Sequence, residues 1–321
     1  MKCSLPENGL CTNSLRILNF DGSVTAQAGL LRKYKTPPYS ADIIDLTDIA
    51  SRCRYLSTGK TLDIVKERIG NSSPNAITLY GSGDFHHISS LLIANFKNPL
   101  AVIVFDYHPD WDGFSPLISC GSWVTRVSKL NNVEKMLLLG PSSDDLSAAG
   151  LSTADLRCVE NGKLEIFPYD KKPSRVFLRY LKDAPCFRVK RDILGSVLHW
   201  KLLKESGRDF VKELLGRIQV KDVYISIDKD CLERRYALTN WEDGVMPLDW
   251  LLEAISVIKK EKNIVGMDIT GEYSPIVITN AAKRFLSSID HPKQPAEEII
   301  PSEILALNES TNLKILEAVL Q

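Results

Sequence analysis

Residues 100–110 read Leu100-Ala101-Val102-Ile103-Val104-Phe105-Asp106-Tyr107-His108-Pro109-Asp110. Six apolar residues in a row, β-branched at 102, 103 and 104, fit a short strand covered on both faces. A strand of that kind belongs to a mainly parallel sheet with helices above and below it. Asp106, His108 and Asp110 then follow at a spacing of two. Continued extended backbone would put the three on one face, and Pro109 biases His108 toward extended angles. Ligands of parallel α/β sheets sit at the carboxyl ends of the strands, so this is where chemistry is expected.

The same alternation extends outward in both directions. Further strands are expected at 15–20, 76–80, 135–139, 164–168, 223–227 and 264–269, with the first one here running 100–107. Helical patterns lie at 61–69, 88–96, 144–149, 193–218, 247–260 and 276–289. The pattern predicts an α/β protein with three α/β/α layers around a mainly parallel central sheet, as one domain over residues 1–321. Pro37-Pro38 and the stretch from Pro292 to Pro295 read as surface loops.

Composition narrows the function classes. Forty Lys+Arg balance forty Asp+Glu, leaving a formal net charge of zero. A nucleic-acid or membrane-surface partner would need a basic excess, so neither is expected. The longest clean apolar stretch, 99–105, is too short to span a bilayer. The first ten residues contain Pro6, Glu7, Asn8 and Gly9, unlike a secretory signal. Seven cysteines are scattered without a C-x-x-C pair, which argues against structural zinc and a disulfide framework. A cytoplasmic location is expected.

Two other strand ends resemble the first. The strand at 223–227 runs into Asp228-Lys229-Asp230, two carboxylates about 7 Å apart along an extended chain. Alone, that pair also fits a turn or a helix cap. The strand at 76–80 runs into Gly81-Ser82-Gly83-Asp84-Phe85-His86-His87, where His86 takes the place of the third glycine of a dinucleotide loop. Three of the five histidines fall in these segments. His199 reads as a packed helix residue and His291 as part of a loop. Carboxylates with imidazoles gathered at three strand ends point to a metal site of the harder divalent kind.

Together these segments resemble the arginase–agmatinase (ureohydrolase) family, which carries G-G-D-H, D-A-H-x-D and S-x-D-x-D-x-x-D-P in that order. The counterparts are 81–87, 106–110 and Ser226-Ile227-Asp228-Lys229-Asp230-Cys231-Leu232-Glu233, and Glu272-Tyr273-Ser274-Pro275 is similar to the family's Glu-x-Asn-Pro. The resemblance implies two Mn2+ ions, bridged by Asp106 and Asp228. One ion would add Asp110 and a histidine of the first motif, His86 or His87, and the other His108 and Asp230. It further implies a hydroxide bridging the ions that attacks a linear C–N centre in a guanidino, amidino or amide substrate. Asp230 would hold or take the proton, and Glu272 would pair with a cationic guanidinium. Departures are visible: Phe85 intervenes before His86, and Cys120-Gly121 stands where the family has His-Gly, leaving Cys120 in place of the shuttle histidine. The partner is then a small cationic or amide substrate, and a homo-oligomer stays open. A mononuclear zinc deacetylase-like amidohydrolase and a non-catalytic metal-binding member are the competing readings.

Overall fold

The computed structural model describes residues 10, 14–70, 74–113, 118–206, 208–291 and 299–320. The sequence-predicted loop at Pro292, residues 114–117 after the second motif and nearly all of the first ten residues lie outside these.

Eight strands form one sheet: β1 (Ser14–Asn19), β2 (Ser40–Asp45), β3 (Ile77–Leu79), β4 (Leu100–Phe105), β5 (Val133–Gly140), β6 (Leu164–Pro168), β7 (Asp222–Asp228) and β8 (Asn263–Thr270). Their order across the sheet is β2-β1-β3-β8-β7-β4-β5-β6, and every pairing is parallel. All six residues of β4 are buried, as double coverage requires, and each large apolar side chain there contributes about 1.5–3 kcal/mol.

The strand order explains the layers. The connection from β4 to β5 carries Trp123–Val127 in one direction across the sheet. The connection from β7 to β8 carries Leu248–Glu261 in the other. Right-handed crossovers running in opposite directions place their helices on opposite faces, which gives the three-layer α/β/α fold. Leu248, Leu251, Ile255 and Ile258 form the buried stripe of Leu248–Glu261, the spacing an amphipathic helix needs. That helix packs against Arg208–Gly216 and Ser302–Leu320.

Several expectations are corrected. The pattern at 193–218 is not one helix. Gly195–Trp200 is a strand, paired antiparallel with Phe187–Asp192 and with Ser174–Phe177, and helix appears only at Arg208–Gly216. Gly195 turns the hairpin at φ +131°, and a Cβ there would lie 2.3 Å from the Val176 carbonyl oxygen. Cross-strand packing overrides the helical spacing. His199 therefore sits on a strand opposite Arg188. The pattern at 276–289 is helical only over Ala281–Asp290, because the Asn280 side chain accepts the Lys283 N–H and starts the helix there. Edge strand β2 and helix Ser302–Leu320 carried no legible signal.

Candidate functional site

Strands β3, β8, β7 and β4 are neighbours at the middle of the sheet, and their carboxyl ends bring the three motifs together. Beyond Phe105 the chain does not stay extended. The Asp106 carboxylate accepts the His108 N–H at 2.7 Å, and Asp110 takes a left-handed φ of +46°. Its Oδ2 accepts the Trp123 indole N–H at 2.7 Å, while its carbonyl accepts the Val124 N–H. A turn, rather than a continued strand, therefore gathers Asp106, His108 and Asp110. β7 ends likewise: Asp228 Oδ1 accepts the Asp230 N–H at 3.1 Å, and Lys229–Cys231 is a single 3-10 turn. Asp230 Oδ1 accepts the Tyr107 N–H at 3.1 Å, tying the second motif to the third.

The first motif is a 3-10 turn, Gly83–Ile88. Residues three apart eclipse in such a turn, so His86 lies on the same side as Gly83. Gly83 packs against Asp228 so closely that a Cβ would sit 2.6 Å from its Oδ2. His86 Nδ1 accordingly lies 3.1 Å from Asp106 Oδ2, 3.4 Å from Asp110 Oδ2 and 3.5 Å from Asp228 Oδ2. His87 points elsewhere: its Nε2 meets Ser57 Oγ at 2.8 Å, and burial pushes its pKa down to about 3. Of the two histidines only His86 joins the carboxylates. Phe85 separates them from Asp84 because it fills the core, stacked on Phe20 at 4.6 Å.

His108 Nδ1 lies 2.8 Å from Asp230 Oδ2 and 3.8 Å from Asp106 Oδ1. Two potential ligand groups result: His86 with Asp106 and Asp110, and Asp106 with His108 and Asp230. They share Asp106, and Asp228 stands beside the first. Both imidazoles are held from behind. His86 Nε2 meets Ser226 Oγ at 2.9 Å, Ser226 donates to buried Asp268 at 2.7 Å, and Tyr224 donates to the same carboxylate. His108 Nε2 meets Glu242 Oε2 at 3.0 Å. Partners of this kind fix ring orientation in metal sites.

The chemistry of the donor set fits divalent cations. His86 Nδ1 and Asp106 Oδ2 are buried without a hydrogen-bond partner. Burial, then the neighbouring Asp110 and Asp230, pushes the Asp106 carboxyl well above its ordinary pKa. Burial and Asp230 push Asp228 up to about 8. Clustered buried carboxylates with orphaned atoms between them are what a bound cation relieves.

Glu272 and Cys120 belong to neither ligand group. Glu272 is buried, its Oε1 engaged by Lys229 Nζ and by Asn312 Nδ2 at 2.7 Å. The carboxylate expected to face a substrate cation is committed to an internal ion pair, because the chain supplies its own cation at Lys229. Cys120 lines the cleft of about 350 Å3 that opens over the carboxylates. It joins neither ligand group, and burial holds its thiol well above the ordinary pKa.

Sequence reasoning missed Glu242, Trp241 and His291. His291, read as part of a loop, directly follows the helix Ala281–Asp290. It is buried, its Nε2 lies 2.6 Å from Asp84 Oδ1, and its ring packs on Trp241 at 4.3 Å. Arg54 donates to the other Asp84 oxygen at 2.6 Å, so a buried ionic network underlies the first motif. The spacing between Asp84 and His291 leaves no trace in a linear motif.

No family model matches the chain. A Thermotoga maritima protein described only as uncharacterized is 29% identical over 200 residues, 62% of this chain. The match spans 59% of that relative's length. Among solved structures, formimidoylglutamase from Bacillus subtilis superimposes with a TM-score of 0.56 at 17% identity, over 96% of this chain and 87% of that one. Arginase from Bacillus cereus gives 0.58 at 12% identity, over 96% and 98%. Formiminoglutamase from Trypanosoma cruzi, solved with Mn2+, gives 0.54 at 10%, over 95% and 93%. Eight parallel strands in this order, flanked by helices and matched to these structures along nearly their whole length, give the chain the arginase–ureohydrolase fold.

Proposed function

We propose that the protein is a manganese-dependent hydrolase of a linear C–N bond in a guanidino, amidino or amide substrate. The observation that carries this is the pair of ligand groups sharing Asp106 at the ends of the central strands. In this reading His86, Asp106, Asp110, His108, Asp228 and Asp230 would hold two ions, with Asp106 common to both ligand groups. Mostly carboxylate oxygen with two imidazoles suits Mn2+ better than softer metals, and the likeness to a formiminoglutamase solved with Mn2+ supports the same choice. When bound, such ions supply Lewis acidity and make water acidic enough to be a nucleophile at neutral pH.

The chain's own residues do the rest. Asp230 accepts the proton of the attacking water. Ser226 and Glu242 hold the imidazoles in register. Cys120, a protonated thiol, does not carry protons, so turnover is slow. The test is metal content together with urea or ammonia release against a panel of guanidines, amidines and amides. Two Mn2+ per chain with turnover supports the reading. One zinc with deacetylation, or metal without turnover on any of these, overturns it.

A further inference from the structure

We propose that the antiparallel sheet of Ser174–Phe177, Phe187–Asp192 and Gly195–Trp200 docks the protein on an anionic lipid surface. The hairpin tip Ile193-Leu194 enters the bilayer interface, and the lysines and arginines around it meet the headgroups. None of this sheet lines the cleft over the strand-end carboxylates, and the inference stands independently of the hydrolase reading.

The zero net charge of the whole chain is an average over two unlike parts. Residues 169–207, between β6 and the helix Arg208–Gly216, carry ten Lys+Arg against four Asp+Glu, a local net charge of +6. The basic excess that a membrane surface needs is absent from the average and present in this segment. Register sets much of it on one face. Lys190, Val197 and Arg175 lie opposite one another across the three strands, as do Asp192, Gly195 and Phe177. Alternation adds Arg188 to the same face. The other face turns Val176, Phe187 and Leu198 into the core. Asp192 is neutralised by Arg175 at 2.8 Å and Asp183 by Arg188 at 3.0 Å. Lys182 and Lys190 are exposed and have no ion pair among the described residues. Arg191 donates to the Leu181 carbonyl, which leaves its charge in place.

The apolar part sits at the end of this sheet. Asp192 pairs with Gly195, so the hairpin closes on two residues, Ile193 and Leu194, at positions where Asn, Asp and Gly are favoured. Ile193 is 90% exposed and Leu178 86%. The Leu178 N–H donates to the Leu194 carbonyl at 2.9 Å, and exposed Phe177 lies opposite Gly195. Four large apolar side chains therefore cluster at one tip, an exposure that calls for a partner. Leu178 also holds a left-handed φ of +54°, a conformation costly for leucine. A lipid interface takes a projecting apolar tip without a preformed pocket, and its anionic headgroups take the cations around it. Nucleic acid would use the cations and leave Ile193 and Leu178 in water. A second copy meeting this face about a twofold axis would set one basic face against another.

The test is co-sedimentation of the full chain with lipid vesicles. Phosphatidylcholine vesicles with about 30% phosphatidylserine should bind it about tenfold or more tightly than phosphatidylcholine alone. Raising salt from about 0.1 M to about 0.5 M should remove most of that gain. Replacing Ile193→Ser together with Leu178→Asn should lower the partition coefficient about tenfold or more, and so should Lys182→Glu together with Lys190→Glu. All four positions are exposed, so the circular dichroism and thermal midpoint of both variants should match the wild type. No binding to the anionic vesicles at the lower salt overturns the inference, and so does binding that either variant leaves unchanged. Two further measurements distinguish the other occupants. Binding to a single-stranded oligonucleotide that exceeds vesicle binding and survives in the Ile193→Ser, Leu178→Asn variant would make the face a nucleic-acid site. A dimer in sedimentation equilibrium that the same variant dissociates would make it a contact between copies. Either result overturns the membrane inference.

Discussion

At Asp110 the backbone enters the left-handed region with a φ of +46°, a conformation Asp tolerates better than most residues and which still carries strain. Trp123 and Val124 hold it there, so the carboxylate is aimed by protein contacts alone. Asp106→Ala and Asp228→Ala should each abolish binding of both ions, while Asp110→Ala and Asp230→Ala should mainly weaken one apiece. Metal content by mass spectrometry checks this, and full occupancy in the Asp228 variant would remove it as a bridge. His86 and His87 separate by a different measurement. His86→Ala should lose metal, whereas His87→Gln should keep it and change acid stability. His87 is neutral when folded, with a pKa near 3 against an ordinary 6.5. The unfolded chain therefore binds the extra proton as pH falls from about 6.5 toward 3, and stability is lost over that window. Relative to His87→Gln, the wild type should lose about 3 kcal/mol between pH 7 and pH 4 in urea titrations. A difference that does not change with pH would place His87 in contact with solvent.

The strands that carry the motifs were legible in the sequence because each is a short apolar run closed by polar residues. The strand expected at 164–168 occupies Leu164–Pro168, and the others shift by one or two residues. The D-x-H-x-D and D-x-D pairs were legible as a gathering of carboxylates and an imidazole, although turns rather than alternation bring their side chains together. What the sequence does not show is contact between distant segments. The stretch 193–218 reads as helical, and only pairing with two other strands makes Gly195–Trp200 a strand. Glu242 and His291 reach the site from segments with no motif. Gly271 is such a long-range case: it has φ +82°, and a Cβ on it would lie 2.3 Å from Asp228 Oδ1. The end of β8 thus presses directly on a carboxylate of β7. Gly271→Ala should push Asp228 aside and lower metal affinity about tenfold or more, with the sheet intact by circular dichroism. Unchanged affinity would show that the loop after β8 yields instead.

Across the whole molecule, helix Ser302–Leu320 is tied to the floor of the site. Asn312 donates to Glu272, Glu309 accepts the Leu30 N–H at 2.8 Å, and Lys33 pairs with Glu317 at 2.6 Å. The first of these ties includes the fully buried Lys229. Removing one partner of a buried pair leaves an uncompensated charge, so Lys229→Met should cost about 3–5 kcal/mol. The double variant Lys229→Met with Glu272→Gln should recover much of that. Chemical denaturation of the three proteins checks the coupling, and additive losses would mean that the pair acts as two separate packing residues. No helix among the described residues is long and apolar enough to cross a membrane. The strand order β2-β1-β3-β8-β7-β4-β5-β6 carries a further consequence, one of timing. The last two strands to leave the ribosome are the two at the centre. β3 and β4, which deliver His86 and Asp106, wait without each other as neighbours until β7 and β8 slide between them. For most of its synthesis the nascent chain exposes the unpaired edges and apolar faces of two half-sheets, the kind of surface that invites aggregation. Asp228 then arrives only with the closing wedge, so the carboxylate cluster is complete only when the chain is nearly finished, and a product truncated before β7 lacks part of it.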